Sequence, residues 1–376
     1  MSTEASANVN NSRASGWFWT LTVMIFVMAV VGAITRLTES GLSIMEWAPI
    51  AGFLPPLDGQ EWERLFALYQ ETGEYQLQWQ ADMSMADFRS IYWWEWGHRV
   101  WGRLIGLVAL AGFFWGLIAA ARSKVNWQMP GHLFLVGLGV ALQGALGWFM
   151  VRSGFMAELT DVDSVRLAMH LSAALLLFVY TLTLALGTSF QWRGRANAIS
   201  IGKLRLLRWS AALMVILLSL TIVSGALVAG NNAGEGYNSW PLMSGEIVPS
   251  NYHSGMPTFE NWIKNNAAIQ FNHRAMATVT MFYAVLMTLM SIRLVGRSEP
   301  RIRRAAHSVG GWVVVQYALG VVTILMSARG VPVSMGAVHQ AGALILLGLT
   351  VWLCYALYAA SPRNIMATNR ANEAGF

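Results

Sequence analysis

Four histidines stand inside apolar stretches of this chain. They are His98 in "YWWEWGHRVWGRLIGL" (92–107), His170 in "AMHLSAALLL" (168–177), His273 in "QFNHRAMATVTMF" (270–282) and His339 in "AVHQAGALIL" (337–346). Lipid penalises ionisable side chains, so each such position is a functional candidate. Arg99 and Arg274 follow two of the histidines directly, and Arg103 lies one turn beyond Arg99. A carboxylate, Glu95, precedes His98 by three residues, where Gln270 precedes His273. Positions i and i+3 share a helix face, so Glu95 should overhang the pocket of His98. Imidazole suits iron, and a carboxylate can move a proton or hold a developing cation.

The elements that position these groups are membrane helices. The 376 residues are 55% hydrophobic and 12% charged, against about a quarter charged in soluble domains. Apolar runs long enough to span, about 20 residues each, fall near 17–35, 93–121, 132–151, 166–190, 206–230, 268–292, 305–327 and 333–359. The sequence therefore predicts an all-α integral membrane protein with eight transmembrane helices. With the N-terminus inside, most of the 25 basic residues fall on the inner side, many in the clusters 193–208 and 293–304. The positive-inside rule then places both termini in the cytoplasm. The net charge of +6 is thus a topology signal and not a nucleic-acid footprint. No cleavable leader is evident, and a bacterial cytoplasmic (inner) membrane is the simplest home.

The chain is written twice. "VVGAITRLTESGLSIMEWAPIAGFLPP" (30–56) aligns with "VSGALVAGNNAGEGYNSWPLMSGEIVPS" (223–250), matching Gly32 to Gly225 and Trp47 to Trp240. "GHRVWGRL" (97–104) matches "NHRAMATV" (272–279), and "QGALG" (143–147) matches "QYALG" (316–320). The stretches around His170 and His339 match last. Four markers in one order define two pseudo-repeated four-helix bundles. The expected organisation is a cytoplasmic tail 1–16, an N-terminal half 17–190, a cytoplasmic linker 191–205, a C-terminal half 206–360 and a tail 361–376. The first half carries a long outer loop, 37–92, whose "EWERLFALYQ" predicts a short amphipathic helix on the membrane surface.

In an up-down-up-down bundle, alternate helices are diagonal neighbours across the core. His98 should therefore face His170, and His273 should face His339, all at one depth near the outer side. A diagonal imidazole pair in a four-helix bundle six-coordinates a heme iron. Zinc fits less well, since no third or fourth nitrogen or sulfur ligand accompanies either pair. Gly102 and Gly106 should leave the face of His98 free of bulk, and Gly144, Gly147 and Gly320 lie on neighbouring helices. Arg99, Arg103 and Arg274, with Arg36, Arg152, Arg166 and Arg329 at the same level, suit porphyrin propionates. Glu95 against Gln270 divides the halves into a working site and a permanent cofactor site, an ion pair with Arg99 or Arg103 being its structural alternative. His132, His253 and His307 read as bland. The lone Cys354 can form no intrachain disulfide.

The "GLSIMEW.PI.G..PP" loop, the "YWWEWGHRVWGRLIGL" segment, "NHR" and "VHQ" together resemble the heme A synthase family over nearly the whole chain. The cysteine-poor branch found in mitochondria and related bacteria is the most similar, and no thiol–disulfide role can apply here. The resemblance implies oxidation of the C8 methyl of heme O to a formyl group by successive hydroxylations, with water as the oxygen source. It implies that His273 and His339 ligate a heme b cofactor, that His98 and His170 hold the substrate heme, and that Glu95 is the catalytic acid. Heme O synthase is a sensible partner, because heme O is scarce and hydrophobic.

Two rivals remain at this stage: a diheme b-type membrane electron carrier, which leaves Glu95 without a task, and a heme exporter or chaperone. The electron acceptor, quinone binding and the oligomeric state, a homo-oligomer included, stay open.

Overall fold

Ten α-helices, with short 3₁₀ and π turns, account for the architecture of the described residues. They are α1 (Ser2–Leu37), α2 (Gly59–Gln70), α3 (Met85–Ala121), α4 (Gln128–Val151) and α5 (Ser164–Ser189), then α6 (Ile201–Gly230), α7 (Thr258–Lys264), α8 (Asn266–Val295), α9 (Pro300–Leu325) and α10 (Val333–Ala359). All except α2 and α7 are long and apolar enough to cross a membrane, which makes eight spans. This computed structural model describes residues 2–48, 51–79, 82–155, 160–189, 199–297 and 299–360, with side chains from residue 14 onward. Residues 191–198 of the expected linker and the whole 361–376 tail lie outside the described residues, as do most side chains of the 1–16 segment.

In the first half α1 packs on α3 and α5, and α4 packs on the same two, so α3 and α5 stand diagonally opposed. The second half repeats this frame: α6 and α9 both pack on α8 and α10. The halves meet where α1 and α5 lie against α6 and α10. Small residues let these helices approach closely, as lipid-embedded packing requires. On α10, Gly348 faces Phe178 and Leu182 of α5; within the first half, Gly116 of α3 faces Pro130 and Leu133 of α4.

The helices follow the apolar runs to within about five residues except at α1, whose helix takes in the expected 1–16 tail from Ser2, and at α3, which begins at Met85 instead of near 93. The added two turns are too polar to be read as membrane, and local chemistry builds them. Ser84 accepts a hydrogen bond from the Asp87 amide, and the Asp87 carboxylate accepts from the Ser84 amide. This reciprocal cap satisfies two donors that a helix start leaves open. On the added turns, Phe88 and Tyr92 bury their rings against Trp62 of α2. Trp62, Leu65 and Tyr69 form the apolar face of α2 and are buried in a second, smaller core with Tyr75 and Met83. The amphipathic helix expected in this loop thus exists, but its apolar face is covered by α3 and its own loop. Its polar side carries Arg64, paired with Glu46 and Glu61, and those bonds hold both carboxyls below their ordinary range.

Candidate functional site

Each of the four intramembrane histidines lies against a glycine of a neighbouring helix. A β-carbon placed on Gly32 of α1 would stand 3.2 Å from Nε2 of His98, and one on Gly147 of α4 would stand 3.4 Å from Cε1 of His170. In the second half the values are 3.1 Å from Gly225 of α6 to His273 and 2.9 Å from Gly320 of α9 to His339, both to Cε1. Glycine is what permits such an approach of ring to backbone. These four glycines are the repeat markers, and each lies about one turn before the C-terminal end of its helix. That places all four rings at one level, roughly 6–8 Å below the helix ends. His170, His273 and His339 lie about two turns inside their own helices, whereas His98 lies between three and four turns inside α3, because α3 overshoots. Gly102 and Gly106 serve packing instead: they face Met28 and Val140.

His98 and His170 are on the diagonal helices α3 and α5, and His273 and His339 on the diagonal helices α8 and α10. Within each pair the rings are electrostatic neighbours. All four side chains are partly buried, yet they are held differently. His273 Nδ1 is 2.8 Å from the Ser224 hydroxyl, and His339 Nδ1 is 3.1 Å from the Gln316 amide. His170 Nδ1 is buried with no hydrogen-bond partner. Ser224 was not singled out from sequence, although it immediately precedes the marker Gly225. Gln316 opens the marker "QYALG". His132 has a partner of its own, the Tyr180 hydroxyl at 2.8 Å.

Above the histidines, each half grips its outer loop in the same way. Arg99 donates to the carbonyls of Ile44 (2.7 Å) and Glu46 (3.0 Å). Arg274 donates to those of Tyr237 (2.6 Å) and Ser239 (2.8 Å). Under the register that aligns Trp47 with Trp240, Ile44 matches Tyr237 and Glu46 matches Ser239. The guanidinium forks that sequence suggested for propionates therefore hold loop backbone, and Arg103 likewise donates to the Ala48 carbonyl at 2.8 Å. Arg36 bridges the halves, pairing with Asp161 at 3.3 Å and donating to Asn232 at 2.9 Å. Arg166 donates to the Phe149 carbonyl, and Arg152 stacks on Trp148.

The halves differ at the residue one turn before these arginines. Glu95 is 2% exposed. Its Oε2 accepts from the Ser43 hydroxyl and the Ile44 amide, both at 2.7 Å, while Oε1 pairs with Arg99. Gln270, 1% exposed, donates to the Tyr237 carbonyl at 3.2 Å and meets Arg274 at 3.5 Å. A second buried acid, Glu74, stands over the same region outside the membrane. Burial pushes its carboxyl up to about 8, and Glu39, Asp161 and Glu95 add to the effect.

Among the described residues no three His, Cys, Asp or Glu side chains gather as a metal site. The donors available are two imidazole pairs, each ring packed against a glycine of a neighbouring helix. That set fits a metal whose remaining ligands come from a planar macrocycle.

Residues 15–351 match the COX15-CtaA family model, described as cytochrome oxidase assembly protein. The chain is 43% identical over 341 residues to the heme A synthase of Rhodospirillum centenum, covering 91% of this chain and 87% of the relative. It is 41% identical over 351 residues to the heme A synthase of Granulibacter bethesdensis, covering 93% and 89%. For that of Parvibaculum lavamentivorans the identity is 37% over 349 residues, covering 92% and 94%. With eight membrane helices, a duplicated histidine frame and similarity over nine-tenths of its length, this chain belongs to the COX15-CtaA family of cytochrome oxidase assembly proteins, alongside the heme A synthases.

Proposed function

We propose that the chain is a heme A synthase that oxidises the C8 methyl group of heme O to a formyl group. In this reading His98 and His170 hold the substrate heme, while His273 and His339 hold a resident heme b. The observation that carries it is the duplicated frame with one chemical difference: a carboxylate at Glu95 where its counterpart Gln270 is an uncharged amide. When bound, heme b supplies one-electron transfer.

Each hydroxylation takes two electrons and two protons from the ring methyl, the electrons passing to an external acceptor, and water adds to the electron-poor carbon. Two such hydroxylations give a gem-diol, which loses water to form the aldehyde. Three donors converge on Glu95, so its charge has a fixed position before the substrate arrives. Preorganised charge of this kind stabilises charge developing in a transition state without reorganisation. That favours the electrostatic role for Glu95 over service as a mobile proton carrier. The glycine beside each histidine lets the ring pack directly against the neighbouring backbone. Loop residues 43–48 are held to α3 by Glu95, Arg99 and Arg103.

In this reading, which the positive-inside distribution supports, the site lies near the periplasmic face of a bacterial inner membrane and heme O is delivered by heme O synthase. Acid-acetone extraction of pigment from cells that co-express a heme O source tests the reading. Formyl heme should appear with the wild type and be lost with His98→Ala. A wild type that binds two hemes but yields no formyl heme would make the chain an electron carrier instead.

A further inference from the structure

The two histidine pairs differ in what holds their second ring nitrogen. Ser224 Oγ lies 2.7 Å from the Thr221 carbonyl as well as 2.8 Å from His273 Nδ1. Its single proton goes to the carbonyl, so its oxygen accepts from Nδ1–H of the imidazole. That assigns the tautomer: Nε2 of His273 carries the free lone pair and is the ligating nitrogen. On the opposite side, Gln316 reaches from α9 to both the ring Nδ1 (3.1 Å) and the backbone carbonyl (2.9 Å) of His339. The Gln316 amide nitrogen can only donate, so as placed it makes Nδ1 of His339 an acceptor and puts the ring proton on Nε2, the reverse of the Ser224 arrangement.

The first half lacks the acceptor that Ser224 supplies. Gly32 matches Gly225, so the counterpart of Ser224 is Val31, which has no acceptor. Gln143 occupies the place of Gln316, yet His170 Nδ1 remains buried without a partner. His98 also turns a different edge, Nε2 and Cδ2, to its glycine.

We propose that Ser224 is a positioning residue that makes the second-half histidine pair a retentive porphyrin site, and that its missing counterpart leaves the first-half site exchangeable. A resident cofactor must survive every turnover, whereas a substrate must enter and a product must leave. Ligand imidazoles whose second nitrogen is fixed bind their metal about 10–100-fold more tightly than unsupported ones. The proposal rests on the assignment of the resident heme to His273 and His339.

The test uses full-length protein purified with its resident heme from cells without a heme O source. Heme loss to excess apomyoglobin is timed, and the ferric low-spin EPR signal is recorded. Ser224→Ala should keep a low-spin heme but lose it about 10–100-fold faster, with a broadened signal. Ser224→Thr, which keeps the acceptor, should behave like the wild type. An unchanged loss rate and signal in Ser224→Ala, with His273→Ala losing the heme, would overturn the positioning role alone. A low-spin heme that survives His273→Ala would overturn the ligand assignment, and the proposal with it.

Discussion

His339 rests its imidazole on Gly320 with no space for a β-carbon, which would stand 2.9 Å from Cε1. Gly320→Ala must therefore move either the ring or α9. Overpacking a close-fitted site costs about 1–3 kcal/mol, and here the ring is the part with freedom to turn. The heme-to-protein ratio of the purified variant should fall severalfold, while Gly144→Ala, with open space around its β-carbon, should leave it unchanged.

Glu95→Gln separates chemistry from architecture. The second half shows that this frame folds with a carboxamide, since Gln270 and Arg274 hold their loop without a carboxylate. The substitution should cost about 1–3 kcal/mol of local stability through weaker hydrogen bonds and leave both hemes bound. Heme A formation should drop about 10²–10³-fold if the placed charge stabilises the reacting carbon. Heme A accumulation at the wild-type level would remove Glu95 from the chemistry.

Arg274→Lys tests the loop grip. A guanidinium reaches two carbonyls at once with a planar fork, and an ammonium on a flexible stem does not hold that geometry. Losing one charge-assisted bond costs about 1.5–3 kcal/mol. Limited proteolysis within 236–257 should become faster, while the membrane helices stay protected. Equal cleavage rates in variant and wild type would argue that the loop is held by its own turns.

Glu74 makes the outer core sensitive to pH. Its folded carboxyl titrates at about 8, above the ordinary 4.5, so between those values the unfolded chain has released a proton that the folded chain retains. Fewer protons bound when unfolded means stability falls as pH rises. The thermal midpoint followed by Trp62 fluorescence should fall between about pH 4.5 and pH 8 and level off on either side. Glu74→Gln should flatten that slope and raise the midpoint at pH 8.

The repeat and the four histidines were legible because lipid leaves so few polar residues that their spacing stands out. The diagonal placement of His98 with His170, and of His273 with His339, followed from helix direction alone. The overhang of α3 was not legible: residues 85–92 lack a continuous apolar run, and only the packing of Phe88 and Tyr92 on Trp62 explains why they are helical. The Arg99 pair of Glu95 was the expected structural alternative, but its other two partners were hidden for another reason. Ser43 and Ile44 lie more than fifty positions away, and a loop backbone amide carries no sequence signature. Arginine likewise reads the same whether its fork meets a propionate or a main-chain carbonyl. Ser224 went unnoticed because a serine one turn from a helix end usually bonds its own backbone, which it does here as well.

Gln340, next to His339, donates to the Ala29 carbonyl of α1 at 2.7 Å, tying α10 to the other half close to the level of the histidines. One member of each pair, His170 on α5 and His339 on α10, belongs to a helix of the central seam; His98 and His273 belong to the flanks. If each pair clasps a porphyrin, charge moving between the two macrocycles crosses this joint by the shortest way. Tightening or loosening α5 against α10 would then tune the rate of electron tunnelling without touching either iron.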